Sequence, residues 1–415
     1  MKIAIIGTGI SGLAISYLLN PYHDLTIFEK ENYLGGHSRT VTANSNPVDT
    51  GFIVFNHKNY PLLTALFKYL DVKTEKSNMS FGVSITNGKL EYGSNSLLNI
   101  FAQKKNLLNI KFYQMLKDII RFNNLAPKYL ASKSDLTLEE YLNKHNFCSW
   151  FRDYYLLAMG ASIWSCPHNK ILKFPAKTFL QFFENHGLLT VTNQPQWYTV
   201  SGGSKEYVKK LSNNFSKNIK KNSKIIKLER KNKEIIITDQ NNKTYKFDKV
   251  IFACHADEAL EIIQKPSQRE QEILGKFKYQ NNKVILHQDI SFMPKNKKAW
   301  SSWIYLNEGD SDKLSLSYWM NNLQNLKSQQ PLIITLNPHR KPKKEMIINE
   351  HFFSHPIFDQ KAIKAQKEIS SLQGDNNCYF VGAYQRYGFH EDGLLSAVNV
   401  AKLFKAKIPW VQNAA

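Results

Sequence analysis

The sequence predicts an α/β fold in which a parallel sheet covered by helices is interleaved with a second, α+β unit. Two observations support this prediction. Residues 1–6 form an apolar run that passes through a glycine-rich turn into a helical segment and then into a second apolar run at 25–28. Much later in the chain, residues 378–384 have the pattern of a strand and turn, and they lead into a terminal helix predicted at 395–404. Alternation of apolar strands with helices is typical of a parallel, Rossmann-type sheet.

The first turn has the spacing of a dinucleotide-binding fingerprint. Gly7 permits a tight turn, Gly9 lets the backbone approach a pyrophosphate, and Gly12 lets the helix pack closely on the strand. The helix N-terminus offers unpaired N–H groups to the phosphates. Glu29 follows the second strand, where it can accept hydrogen bonds from an adenosine ribose. The nucleotide-binding residues predicted in this part of the chain are Gly7, Gly9, Ile10, Ser11, Gly12, Glu29 and Lys30.

A second glycine pair follows, in which Gly35 and Gly36 allow another close approach of the backbone and Arg39 supplies a guanidinium for phosphate oxygens. With the fingerprint and the acid, this motif resembles the flavin-containing amine oxidase and phytoene desaturase superfamily, where these elements hold the pyrophosphate of FAD. The resemblance implies FAD as the cofactor. It also implies an amine oxidase-like two-domain fold, in which a Rossmann-type FAD-binding domain is interleaved with an α+β substrate domain. The cofactor-binding residues that it adds are Gly35, Gly36, His37, Arg39, Thr40, Gly51, Phe52, Ile225, Gly382, Ala383, His390, Glu391, Asp392, Gly393 and Leu394.

The order of segments along the chain suits these two domains. Asp49 either matches the superfamily's acid-x-Gly segment or serves as a turn acid. A β-hairpin is predicted around Asn241 and Asn242, and residues 61–200 are expected to be largely helical. The predicted FAD-binding domain comprises residues 1–60, 198–279 and 350–415, and the predicted substrate domain comprises residues 61–197 and 280–349.

The terminal segment departs from the superfamily pattern at one position. Members often carry an acid just after the glycine that aligns with Gly382, where it binds the ribityl chain of the flavin. This chain has Ala383 and Tyr384 there, so Glu391 or Asp392 is the expected replacement. The N-terminus of the terminal helix is expected to face the flavin pyrimidine, because a helix dipole stabilises the negative charge of reduced flavin.

Two stretches, 286–303 and 382–393, narrow the resemblance to bacterial FAD-binding proteins associated with cyclopropane-fatty-acyl-phospholipid synthases. This subgroup implies oxidation, desaturation or isomerisation of a lipid or fatty acyl substrate, with hydride transfer to flavin N5. Two alternatives remain open. The protein is a flavin amine oxidase acting on a small amine, or it is a non-oxidase flavoprotein that partners a lipid methyltransferase.

Two histidines are the candidates for a catalytic role. By alignment His390 lies beside the substrate, where it acts as a general base or simply hydrogen-bonds the flavin. His287 is the second candidate. Aromatic residues at 150–155 and 179–183 either line an acyl tunnel or pack in an ordinary core.

The chain is strongly basic, with 55 Lys and Arg against 34 Asp and Glu and a net charge of +21. This excess reflects either a Lys- and Asn-rich composition or a surface attracted to anionic lipid. Apolar and basic residues alternate at helical spacing over 104–128, which predicts either a basic amphipathic surface or an ordinary exposed helix. No nucleic-acid-binding module is recognisable, so nucleic acid is not an expected partner.

Cysteine usage and hydropathy predict a cytoplasmic protein. Cys148, Cys166, Cys254 and Cys378 show no CxxC spacing, which favours a reducing compartment and argues against a metal site. No apolar stretch reaches the length of a membrane span, and the first residues already form a predicted core strand rather than a signal peptide. Within the cytoplasm, the basic charge predicts peripheral contact with the inner face of the membrane.

Overall fold

A computed structural model of the protein describes residues 1–164, 168–185, 187–190, 194–231, 234–307 and 315–411. Cys166 lies outside these residues. The described chain contains a five-stranded parallel sheet to which both ends of the chain contribute, as the sequence predicts. Its strands, in spatial order, are Ile219–Lys220, Asp24–Phe28, Lys2–Ile6, Lys249–Phe252 and Cys378–Phe380.

Strand alternation divides the apolar side chains of this sheet between two helical layers. Ile3 and Ile5 pack on one face, and Ala4 and Ile6 pack on the other. The helices on the first face are Ile10–Leu19, Pro61–Tyr69, Lys205–Ser212 and His390–Leu403. Those on the second face are Ala256–Ile262, Gln268–Leu274 and Gln360–Glu368.

The predicted hairpin is present as part of a three-stranded antiparallel sheet. Asn242 has a positive φ of 60° in its turn. This conformation is one that Asn tolerates better than most residues. The three strands are Ile225–Lys231, Glu234–Asp239 and Thr244–Phe247.

A mixed seven-stranded sheet forms the centre of the second unit. Strand Trp303–Asn307 pairs in parallel with Phe81–Ile85, and the other neighbouring pairs are antiparallel. In spatial order the strands are Ile347–Ile357, Lys278–His287, Ile333–Leu336, Ser315–Trp319, Trp303–Asn307, Phe81–Ile85 and Leu90–Gly93.

Residues 61–200 are helical mainly after residue 96, so the prediction of a largely helical segment is only partly met. The helices of this part are Pro61–Tyr69, Leu97–Ile100, Ile110–Leu130, Leu138–Lys144, Ser149–Phe151, Leu157–Trp164, His168–Leu172 and Ala176–Asn185. Strand Thr74–Ser77 pairs with Trp197–Val200, which also pairs with Val54–Asn56. Two further short elements are the hairpin of Thr40–Ala43 with Asn46–Asp49 and the helix Met320–Leu323, and short 3₁₀ helices and one π-helical segment, Arg152–Leu156, join the larger elements.

Two of the predicted domain boundaries, 279/280 and 349/350, fall inside strands of the seven-stranded sheet. Strands Lys278–His287 and Ile347–Ile357 pair with each other over their length, so each belongs to that sheet as a unit. The division of the chain into two domains otherwise stays a prediction. Within the described residues, no helix is long and apolar enough to cross a bilayer.

Candidate functional site

The glycine-rich turn leaves open space at the N-terminus of helix Ile10–Leu19. Gly7 has a φ of +106°, and a Cβ at Gly12 would lie 2.0 Å from the Gly7 carbonyl oxygen. Both positions therefore require glycine. A Cβ at Gly9 would meet no protein atom within 4 Å, and no side-chain cap is present on the helix that Gly9 precedes. The first-turn N–H groups are thus left for an anion at the place where the fingerprint predicts a pyrophosphate.

The second glycine pair lies directly against the first turn. The Gly35 N–H donates to the Thr8 carbonyl oxygen at 3.0 Å, and Gly9 and Gly35 form an isolated β-bridge. Gly36 has a φ of +57°, and a Cβ there would lie 3.1 Å from the Cα of Gly9. The two motifs therefore form one continuous backbone floor.

Glu29 lies at the carboxyl end of its strand, beside the floor. Its buried carboxylate accepts hydrogen bonds from the Thr8 N–H at 3.0 Å, from the Thr8 hydroxyl and from the Glu31 N–H at 2.9 Å. The Glu29 carbonyl accepts from the Ser223 N–H, which brings the start of strand Ile225–Lys231 next to the acid. Glu29 and Ile225 thus lie on the same side of the predicted nucleotide site.

Lys30, also predicted to bind the cofactor, contacts an acid instead. Its ammonium lies 2.6 Å from a carboxylate oxygen of Glu258, and this ion pair raises the pKa of Lys30 although burial opposes it. Arg39 donates to the side-chain oxygen of Asn349 at 2.9 Å, and its guanidinium lies 5.7 Å from the centre of the Tyr33 ring. Arg39 therefore lies beside the backbone floor of the two glycine motifs, whereas Lys30 is paired with Glu258.

The Asp49 carboxylate binds the segment before helix Lys205–Ser212, where the chain returns to the helices that cover the parallel sheet. It accepts from the Ser204 N–H at 2.9 Å, the Ser204 hydroxyl at 2.7 Å, the Thr40 hydroxyl at 2.5 Å and the side-chain amide of Gln324 at 2.8 Å. Burial raises the pKa of this carboxyl to about 6 in spite of these bonds. The contacts favour the turn-acid interpretation, because the carboxylate fixes Ser204 next to Gly203, whose φ is +88°.

His390 contacts residues from three separate parts of the chain. Its ring stacks on Phe52, with 3.7 Å between the ring centroids. Its Nε2 lies 2.8 Å from the Ser38 hydroxyl and 3.1 Å from the Tyr207 hydroxyl. Burial lowers the pKa of His390 to about 3, so the ring is neutral at physiological pH. Gly51 allows this packing, since a Cβ there would lie 2.1 Å from the His37 carbonyl oxygen.

The terminal helix begins at His390, five residues earlier than predicted, and its first acids bind backbone N–H groups. Asp392 accepts from the N–H groups of Phe389 at 3.0 Å and Tyr387 at 3.2 Å. Glu391 accepts from the N–H groups of Leu62 and Leu63, at 2.8 and 2.9 Å. Both carboxylates therefore cap helices, which argues against the prediction that one of them replaces the missing ribityl acid.

The remaining predicted residues of the terminal segment fix the position of this helix. A Cβ at Gly393 would lie 2.8 Å from the Ser11 hydroxyl, so the helix touches the start of Ile10–Leu19. The Gly382 N–H donates to the Ser396 hydroxyl at 2.8 Å. Leu394 is fully buried in the core, and Ala383 lies in the turn before the helix. The predicted residues from both ends of the chain thus meet at adjacent helix N-termini.

His287 lies in the seven-stranded sheet, and its described contacts do not include His390. It is fully buried, its Nε2 lies 2.8 Å from the Thr335 hydroxyl, and its Nδ1 accepts the Asp289 N–H at 3.1 Å. Burial lowers the pKa of this imidazole to about 4. Both ring nitrogens have partners, so the geometry favours a structural histidine over the predicted catalytic role.

Sequence reasoning predicted His37 beside this backbone floor but missed the histidines that surround it. His37 stacks on Phe353 at 4.7 Å between centroids, and its ring lies 5.2 Å from His355 and 6.4 Å from His255. Burial and the neighbouring imidazoles lower the pKa of His37 well below its usual value. Among the described residues these histidines are not arranged as a metal-binding group. His255 comes directly after a predicted core strand, at the strand end where α/β sheets bind ligands, and this signal was available in the sequence.

The paired glycine turns, the uncapped helix and the acid at the strand end are what a dinucleotide requires, and the comparisons with known proteins agree. The family model described as flavin containing amine oxidoreductase matches residues 10–341. The chain belongs to this family. Its cofactor is FAD, as predicted, and the protein is an FAD-dependent oxidoreductase.

Solved structures with the same fold act on different substrates. The CLA-producing fatty acid isomerase from P. acnes superposes with a TM-score of 0.70 at 15% identity, over 97% of this chain and 98% of the other. Putrescine oxidase bound to putrescine gives 0.68 at 13%, over 98% and 100%. Cyclohexylamine oxidase from Brevibacterium oxydans gives 0.68 at 12%, over 97% and 99%. At such identities the likeness shows the fold alone. No curated protein matches the sequence.

Proposed function

We propose that the protein oxidises, desaturates or isomerises a fatty acyl chain. The observation that supports this substrate class is the apolar surface beside His390. Phe52 stacks on the His390 ring, and Phe389, the preceding residue, stacks on Phe182 with 5.2 Å between centroids. The two acids that follow His390 are both engaged at helix ends. Uncharged methylene groups can pack against such aromatic rings, whereas a buried ammonium group needs a carboxylate partner.

The aromatic residues predicted to line a tunnel divide into two groups. Phe151, Phe179 and Phe183 are completely buried in the helical core of the second unit, which is the ordinary packing interpretation. Phe182 belongs to the same core but also reaches Phe389. An acyl chain that approaches His390 would therefore meet Phe389 and the edge of this core.

FAD, when bound, supplies a hydride acceptor at N5. Gly9 and the start of helix Ile10–Leu19 would hold its pyrophosphate, and Glu29 would face the adenosine ribose. His390 is neutral and tied to Ser38 and Tyr207, so it is suited to hydrogen bonding rather than to proton abstraction at neutral pH. The chain's part in the reaction is then to position the acyl carbon and to exclude water.

Two further parts of the proposal rest on the sequence. The association with cyclopropane-fatty-acyl-phospholipid synthases, and with it a lipid methyltransferase as partner, rests on resemblance. A cytoplasmic location rests on cysteine usage and hydropathy, and peripheral contact with the inner membrane rests on the net positive charge. The amine oxidase alternative is kept because putrescine oxidase shares the fold.

The experiment is anaerobic mixing of the purified holoprotein with unsaturated fatty acids, with phospholipid, and with putrescine or cyclohexylamine. We expect fatty acyl compounds to bleach the visible flavin absorbance or, for a redox-neutral isomerisation, to yield a shifted double bond by mass spectrometry. Bleaching by the amines alone would replace the proposal with the amine oxidase alternative. If the protein turns over neither fatty acyl compounds nor amines but binds a lipid methyltransferase, the result would support the alternative of a non-oxidase flavoprotein partner.

A further inference from the structure

Exposed apolar side chains are concentrated in one short part of the chain. Of fifteen large hydrophobic residues that are exposed in the described structure, seven lie between residues 97 and 120. Leu108 is 90% exposed and Leu98 is 81% exposed. We call the following five residues the apolar patch: Leu97, Leu98, Leu107, Leu108 and Ile110. Isolated exposed leucines need no explanation, but a cluster of this kind indicates an interaction surface.

Three consecutive elements, two of them short, hold the patch in place. Helix Leu97–Ile100 is capped by the Ser96 hydroxyl, and helix Ile110–Leu130 is capped by the Asn109 side chain. Lys104–Leu108 forms a 3₁₀ helix between them. The Phe101 ring, 5.7 Å from the ring of buried Phe112, ties this part of the chain to the core. The patch therefore points outward from an ordered base.

The base is also fixed to a second loop. The side-chain amide of Asn99 donates to the Lys298 carbonyl oxygen at 2.5 Å. Glu91, which precedes the patch, is buried and accepts the N–H groups of Lys295 and Asn296 at 2.8 and 2.9 Å. These contacts bring the lysines of residues 295–298 to the side of the patch.

The surroundings of the patch carry positive charge and little else. Residues 92–117 contain four lysines and no aspartate or glutamate. Eight exposed lysines surround or flank the patch: Lys89, Lys104, Lys105, Lys111, Lys117, Lys295, Lys297 and Lys298. Among the described residues, none of these eight forms an ion pair with an acidic side chain. Lys105 donates to the Lys89 carbonyl oxygen at 2.5 Å, which does not neutralise its charge. The eight charges are thus available to anions outside the protein.

We propose that this surface binds an anionic phospholipid bilayer, with the apolar patch inserted at the boundary of head groups and acyl chains and the lysines against lipid phosphates. The combination decides the partner, because exposed leucines suit an acyl environment and flanking lysines suit anionic head groups. A nucleic acid would use the lysines but not the leucines. The inference deepens the peripheral membrane contact proposed above by assigning it to named residues, and it does not depend on the proposed acyl chemistry.

The test is flotation of the holoprotein with vesicles of phosphatidylcholine alone and of phosphatidylcholine mixed with phosphatidylglycerol. Binding is expected only with the anionic vesicles, and it should weaken as salt rises. For Lys104→Gln/Lys105→Gln we expect the partition coefficient to fall roughly 25-fold, since each lysine near an anionic surface contributes about a factor of five. Leu107→Ser/Leu108→Ser should lower it at least about tenfold, because two leucines lose burial in the bilayer.

The controls change exposed residues outside the patch and its flanking lysines. Leu403→Ser removes one exposed leucine, and Lys361→Gln/Lys364→Gln removes two lysines from helix Gln360–Glu368; both should bind like the wild type. All variants are first checked for unchanged melting temperature and flavin content. Equal loss in controls and patch variants would overturn the proposal, as would failure of the wild type to float. So would self-association that only the leucine variant abolishes. Flavin reduction by dispersed fatty acids is scored separately, so failure of vesicle binding leaves the proposed function untouched.

Discussion

His390 is the residue whose chemical role the structure most narrows. A histidine with a pKa of about 3 is neutral throughout the physiological range, and its Nε2 already has two hydroxyl neighbours. A positioning role therefore fits better than a general base. We expect His390→Gln to slow reduction of the flavin by substrate roughly tenfold or more, since misplaced reactants commonly cost at least that much.

The pH dependence separates these two roles. Because His390 does not titrate above about pH 4, the rate of flavin reduction should show no inflection from this residue between about pH 5 and pH 9. Stopped-flow absorbance over this range provides the measurement, and His287→Gln, in the seven-stranded sheet, is the control substitution of a buried histidine. An inflection near the usual histidine pKa that disappears in His390→Gln would restore the general-base role.

Gly9 and Gly12 lie three residues apart and differ in what a side chain would meet. A methyl group at Gly9 touches no protein atom, whereas one at Gly12 would overlap the Gly7 carbonyl. We expect Gly9→Ala to lose FAD with an unchanged melting temperature of the flavin-free protein, because the methyl group fills only the phosphate space. Gly12→Ala should lower both. Flavin content by absorbance and melting by circular dichroism distinguish the two variants. Full retention of FAD by Gly9→Ala would refute the predicted pyrophosphate site at Gly9.

At the scale of elements, one acid from the terminal helix caps a helix more than three hundred residues earlier. Glu391 provides the side-chain acceptor at the N-terminus of Pro61–Tyr69, where Tyr60 itself supplies none. Replacing it with alanine should lower the free energy of unfolding by about 1–2 kcal/mol, which is the usual cost of losing an N-cap. Urea unfolding measures this change.

The same variant decides between a structural and a cofactor-binding role. If Glu391 only caps the helix, Glu391→Ala loses stability but keeps its FAD, and Glu391→Gln recovers part of the stability. Loss of FAD at unchanged stability would instead support the ribityl contact expected from the sequence. Glu140→Ala removes a capping acid from helix Leu138–Lys144, which contains no predicted cofactor-binding residue, and serves as the control for general effects of losing a helix cap.

The strands and glycine motifs could be predicted from the sequence, whereas the start of the terminal helix could not. The strands at both ends were predictable because each is an apolar run that ends at glycine, and the paired glycine motifs were predictable from their spacing. The start of the terminal helix was missed because its cap is Asp392, which accepts from Phe389 three residues back, inside a glycine-containing stretch. The partners of Glu391 and the grouping of His37 with His355 depend on tertiary contacts, which no local pattern reports.

For the whole molecule, the buried titratable groups determine how stability depends on pH. Eight histidines have depressed pKa values. Burial lowers the pKa of His390 to about 3, those of His287 and His355 to about 4, and that of His37 well below its usual value. The unfolded chain takes up their protons below about pH 6.5, whereas the folded chain does not. The free energy of unfolding therefore decreases as the pH is lowered. Asp49 and Asp392 oppose this trend, because their folded pKa values of about 6 exceed the unfolded ones and the folded state binds their protons first.

Glu391 opposes this trend too, because burial raises its pKa. The depressed histidines still outnumber these three carboxyls, so the free energy of unfolding of the flavin-free protein should fall as the pH is lowered from about 6 to about 4, with each proton contributing about 1.4 kcal/mol per pH unit. Urea unfolding at several pH values measures the slope. His287→Gln should reduce it by about one proton's share, and this difference should persist in the holoprotein because His287 contacts none of the predicted flavin-binding residues among its described partners. A variant slope equal to that of the wild type would show that His287 is protonated in the folded protein and would remove it from the set of neutral histidines.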